Sequence, residues 1–131
     1  MKKIQLPKPT NQCVEEPYVE MKNSQVIIRY LYYDDYEEVD SLVSVKFESV
    51  YSFSYIECEY ISTIDFCFGL TEVEDSKIKS ELLTTWKLRN GAVDKAFGGE
   101  VEKIKQYRLY FDEYGMYEII CKGIEIEEEI K

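Results

Sequence analysis

The chain has 131 residues, 45% hydrophobic and 15% aromatic, with 26 acidic side chains against 16 basic ones and a net charge of −10. That length makes one domain with a core of its own, and that apolar content excludes a disordered chain. The charge opposes phosphate backbones and anionic membranes, so neither nucleic acid nor membrane is an expected partner, whereas a basic protein is.

The first 17 residues hold all three prolines and few periodic apolar positions. They predict an extended arm at the start of a single domain spanning 1–131, either lying on it or frayed. The start MKKIQLPKPT has two lysines but no apolar run after them, and no segment approaches the length of a membrane span. The expected location is a reducing cytoplasm.

From Tyr18 to Leu70 the pattern is that of strands. In QVIIRYLYY, Val26, Ile28, Tyr30 and Tyr32 share one face and Ile27, Leu31 and Tyr33 the other, as in a strand central to its sheet. In VSVKFESVYSFSY, Val43, Val45, Phe47, Tyr51, Phe53 and Tyr55 alternate with polar residues. The phase then flips to Ile56, Cys58 and Tyr60, which predicts a bulge or bend near Tyr55. Ile64, Phe66, Phe68 and Leu70 alternate once more.

Ile78, Leu82, Leu83 and Trp86 recur at helical spacing and predict one helix over residues 74–89. Asp75 or Ser76 can cap its start, and Gly91 stands where its C-terminal cap belongs. A loop around Phe97 follows. Tyr107, Leu109 and Phe111, the turn DEYG, and Tyr117, Ile119 and Cys121 predict a closing hairpin. Gly123 predicts a bulge before Ile124 and Ile126, and the tail EEEIK reads as solvated. The expected fold is α+β: a mainly antiparallel sheet of five to seven strands with one substantial helix.

No catalytic constellation stands out, and no catalytic, metal or cofactor residue is assigned. The chain has no histidine, which removes the usual general base and the commonest metal ligand. No phosphate loop or dinucleotide fingerprint is present. Carboxylate pairs are too numerous to single any out. The cysteines Cys13, Cys58, Cys67 and Cys121 form no C-x-x-C pair and read as small core residues, Cys67 being the most reachable.

The most distinctive segment is YYDDYEEVD. Asp34, Asp35, Glu37, Glu38 and Asp40 crowd around Tyr33 and Tyr36. Carboxylates attract lysine and arginine, and tyrosine supplies rigid contact area. These seven residues are the candidate partner-binding site. A solvated turn between two strands is the plain alternative. Calcium fits poorly, because the spacing is not that of an EF-hand loop and its glycine is missing.

The short chain, this acidic segment, the tyrosine-rich strands and the closing hairpin YRLYFDEYGMYEIICKGIEI together resemble the small acidic immunity proteins of bacterial polymorphic toxin systems. The resemblance implies a non-catalytic domain, without cofactor, that binds and neutralises a basic toxin domain, often a nuclease. An acidic housekeeping or mobile-element domain and, more remotely, a carboxylate-based enzyme are the other readings. A cytoplasmic chain should carry no disulfide, so thiol titration of the unfolded, unreduced protein should find four free cysteines; three or fewer would refute the compartment assignment.

Overall fold

Alternating β-branched and aromatic residues build two antiparallel sheets in the computed structural model, which describes residues 2–11, 13–34, 39–61 and 69–130. The first sheet has the order β1 (Lys2–Ile4), β6 (Gly69–Val73), β7 (Lys105–Phe111), β8 (Gly115–Cys121), β5 (Ser52–Ile56). The second has the order β2 (Tyr18–Lys22), β3 (Gln25–Asp34), β4 (Val39–Glu48), β9 (Gly123–Ile130). The fold is α+β, as expected, with nine strands among the described residues rather than five to seven. The excess has two sources: strands that run on into the other sheet, and an N-terminal arm that is itself partly strand.

The core lies between the sheets. Val26, Ile28 and Tyr30 of β3 and Val43, Val45 and Phe47 of β4 meet Leu70, Tyr107, Leu109, Phe111, Tyr117 and Ile119 of the first sheet. Aromatic edges lock the two layers: Tyr30 stands edge-on to Phe111 at 5.3 Å between centroids, and Phe47 tilts onto Tyr107 at 6.1 Å. These are the faces that the alternation assigns inward, and Phe53 packs against the same core from β5. Burial pushes the Tyr107 and Tyr117 hydroxyls up to about 12.

Two strand pairs pass from one sheet to the other. β4 and β9 pair as far as Glu48↔Gly123, and β5 and β8 resume at Ser52↔Ile120. Ser49, Val50 and Tyr51 thus stand opposite Cys121 and Lys122, one residue in excess, which is a bulge. Ser49 takes a positive φ of 53° there. Backbone bonds hold the corner: Lys122 N–H donates to Glu48 O at 3.0 Å, and Tyr51 N–H to Ile120 O at 2.8 Å. The corner is a break that the alternation does not announce. The phase flip after Tyr55 instead marks the end of β5 at Ile56, followed by a 3-10 turn over Cys58–Tyr60 rather than by further strand. Gly123 marks a change of sheet, not a bulge inside one strand. The segment EEEIK, read as a solvated tail, is strand as far as Ile130, although the side chains of Glu127, Glu128 and Glu129 are exposed.

The arm is woven in. β1 pairs with β6, Thr10 Oγ1 donates to Tyr110 O at 2.6 Å, and the Tyr30 hydroxyl donates to Lys8 O at 2.6 Å. Val14 N–H then reaches Leu31 O in the second sheet, so the arm closes one side of the sandwich.

The helix α1 spans Lys77–Asn90, three residues shorter at its start than expected, because Asp75 adopts a positive φ and Ser76 is the cap. Ser76 Oγ accepts from Lys79 N–H and bonds Gln106 in β7. Gly91 ends the helix in the left-handed region, and Lys87 and Arg89 lie in the last turn. No helix residue is fully buried; Ile78, Leu82, Leu83 and Trp86 are half-buried. No helix among the described residues is long and apolar enough to cross a membrane.

Gly115 closes the β7–β8 hairpin at φ 93°, and a Cβ there would meet Ile56 O at 2.5 Å. Gly91 has a similar φ of 75° but open space around it. Gly115→Ala should therefore cost about 3 kcal/mol and Gly91→Ala about 1 kcal/mol in urea unfolding. Equal costs would show that the clash at Gly115 is relieved.

Candidate functional site

The four-stranded sheet turns one face to the core and leaves the other without a covering layer among the described residues. Register fixes what that outer face carries. From β2 come Tyr18 and Glu20, from β3 Ile27, Arg29, Leu31 and Tyr33, from β4 Asp40, Leu42, Ser44 and Lys46, and from β9 Glu125, Glu127 and Glu129. Leu31 stands opposite Leu42, and Tyr33 opposite Asp40. Tyr18 is 62% exposed and Tyr33 41%, while Ile27, Leu31 and Leu42 are half-buried. The result is a small apolar patch of Leu31, Leu42 and Tyr33 at one end of the face, separated from Ile27 by Arg29 and Ser44, with a row of glutamates down its β9 flank.

The charges on this face are unequal. Arg29 bonds Glu20 at 3.0 Å, and Lys46 lies 3.7 Å from Glu48. Those pairs use the central cations. Asp40, Glu125, Glu127 and Glu129 form no ion pair with the described residues, so the β9 side of the face is net acidic. Between the two groups Arg29, Ser44, Lys46, Glu125 and Glu127 ring a hollow of about 220 Å³.

Of the seven residues proposed from sequence, Tyr33 and Asp40 come together as cross-strand partners on this face. Asp34 pairs through its backbone with Val39 at the end of the β3–β4 ladder. Asp35, Tyr36, Glu37 and Glu38 lie outside the described residues, as do Cys67 and the alternation at Ile64, Phe66 and Phe68. The residues missed from sequence are Leu31, assigned to a strand but not to a site, Leu42, which precedes the strand read from Val43, and the glutamates of β9. Alternation of Ile124 and Ile126 with Glu125 and Glu127 carries the β9 signal.

Glu118, the one buried carboxylate among the described residues, accepts from Arg108 Nε at 2.7 Å across β7 and β8. No group of three potential metal ligands occurs among the described residues. No protein-family model matches this chain, and neither does any curated protein or solved structure.

Cys121 is fully buried, and burial pushes its thiol up to about 12. Cys13 is half-buried and pushed up to about 11 for the same reason. Both suit packing rather than nucleophilic attack. A thiol at about 12 is ionised to roughly one part in 10,000 at pH 8, so native Cys121 should alkylate about 1000-fold more slowly than an ordinary thiol. Iodoacetamide labelling followed by peptide mapping measures this; labelling of native Cys121 at the unfolded rate would contradict its burial.

Proposed function

We propose that the chain is a non-catalytic protein-binding domain of the immunity type, which binds and neutralises a basic toxin domain. The observation that carries this reading is the outer face of the four-stranded sheet, uncovered among the described residues: an apolar patch of Leu31, Leu42 and Tyr33 flanked by glutamates that form no ion pair with the described residues. Charge of this kind speeds encounter with a basic partner and rejects an acidic one. The apolar residues and Tyr33 then supply contact area that holds it. Tyr33 and Asp40 are adjacent on that face, and the acidic run Asp34, Asp35, Glu37 and Glu38 continues the sequence between them. Tyr36 belongs to the same run. A sheet face also suits blocking: it is broad and braced from behind by the core.

The test begins with capture of partners in the native host and expression of each alone. The expected partner is basic, arrests growth by itself, and is silenced by co-expression of this chain. Replacing Asp40, Glu127 and Glu129 with amides should slow association several-fold and flatten its salt dependence while leaving the fold intact. Tyr33→Ala should act mainly on dissociation. An amide variant that associates at the parental rate and salt slope would remove this face from the interface.

A further inference from the structure

A second surface has the opposite chemistry. The first half of the corner, Tyr51, approaches the loop after the helix, where Phe97 stacks edge-on at 4.6 Å between ring centroids. Phe97 is held at a positive φ of 54°, followed by Gly98 and Gly99 at 71° and 82°. A phenylalanine in that region is strained, and the contact with Tyr51 fixes it there. Across from this pair the helix presents Leu82, Trp86, Arg89 and Asn90, and together they enclose an open cleft of about 490 Å³.

The walls are aromatic and aliphatic, and no carboxylate lines the cleft. That is unexpected in a chain with 26 acidic side chains. Arg89 forms no ion pair among the described residues. The neighbouring cation is already used: Lys122 Nζ lies 2.9 Å from Glu100, which also takes Lys103 at 3.3 Å. Arg89, in the last turn of the helix, keeps its guanidinium at the rim of the cleft with no carboxylate partner among the described residues. The Trp86 indole N–H is buried and meets no acceptor among the described residues, which favours any state where the ring turns toward one. Ligand clefts of this size combine apolar walls with a few polar groups that fix orientation.

We propose that this cleft binds a small aromatic carboxylic acid, its ring between Phe97 and Trp86 and its carboxylate on Arg89. Guanidinium matches a carboxylate in geometry as well as charge. The site lies on the helix side of the molecule and is independent of the sheet face.

Trp86 is the sole tryptophan, so its emission reports the cleft directly. The probes are 3-phenylpropionate, its neutral amide 3-phenylpropanamide, and acetate. The acid should shift Trp86 emission saturably, with a dissociation constant on the order of 1 mM for so few atoms. The amide should bind about tenfold more weakly, since it forgoes the charged bond, and acetate should leave the emission unchanged. Arg89→Met should bind acid and amide alike, Arg89→Lys should keep part of the preference, and Leu88→Ala, at a position 84% exposed outside the cleft, should behave as the parent. Circular dichroism checks that each variant is folded. No saturable shift with the acid, equal binding of acid and amide by the parent, a shift produced by acetate alone, or an acid preference that survives in folded Arg89→Met would each overturn the proposal.

Discussion

Everything in this molecule hangs on the corner at residues 49–51 and 121–122. There β4 becomes β5 and β8 becomes β9, and the two strand pairs cross from one sheet to the other side by side. The extra residue in the first strand bends the ribbon, and the bonds Lys122 N–H to Glu48 O and Tyr51 N–H to Ile120 O carry the ladder across the bend. Val50 N–H reaches back to Ser24 O in the β2–β3 turn, tying a third hairpin to the same point. Without the corner, each sheet would offer one apolar face with nothing to bury it against. With it, the inward alternation at Val43, Val45 and Phe47 continues at Phe53, and one core serves both sheets.

The two sheets then differ in what they do with their second face. On the five-stranded sheet, Gln106, Tyr110, Met116, Glu118 and Ile120 are buried on the side away from the core, so that face is spent within the molecule. The close pair Arg108–Glu118 belongs to it, and replacing Arg108 would leave the buried Glu118 carboxylate without its cation in a poor solvent for charge. The four-stranded sheet keeps its second face open. Among the described residues its half-buried Ile27, Leu31 and Leu42 are shielded by their neighbours on the sheet, and that asymmetry is what the proposed contact role rests on.

Local pattern made much of this legible. The β3 and β4 faces, the helix caps at Ser76 and Gly91, and the β7–β8 hairpin all follow from spacing and turn chemistry, because each is decided by residues within a few positions. The sheet changes at Ser49 and Gly123 were not legible as such. Alternation records which side of a strand is buried but not which sheet the strand is in: it runs in phase through the β4–β5 corner, and the phase change at Gly123 looks the same for a bulge as for a change of sheet. β1 escaped notice because three residues, KKI, hold no alternation to read; it exists through pairing with β6. Trp86 was placed correctly on the helical stripe, yet the stripe is only half-buried, and its cleft partners Tyr51 and Phe97 come from segments that periodicity does not connect. At the candidate site, the Tyr33–Asp40 pairing follows once β3 and β4 are joined as a hairpin. The share taken by Glu127 and Glu129 depends on a strand 80 residues further along.

The placement of the acid on β9 bears on whether it serves more than solubility. Among the described residues β9 pairs only with β4, which leaves its other edge without a neighbouring strand, the kind of edge that invites a second copy to add one. Glu125, Glu127, Glu128 and Glu129 make such self-pairing repulsive, since identical glutamates would meet. Solubility alone would be met by charges scattered anywhere. Under the proposed binding role, charges grouped on one edge, beside the apolar patch, would discriminate between partners, repelling another copy of this chain and admitting a surface of lysine and arginine. On that proposal the same row would oppose self-pairing and select what covers the open face, two effects that reinforce each other because both act through the sign of the approaching surface.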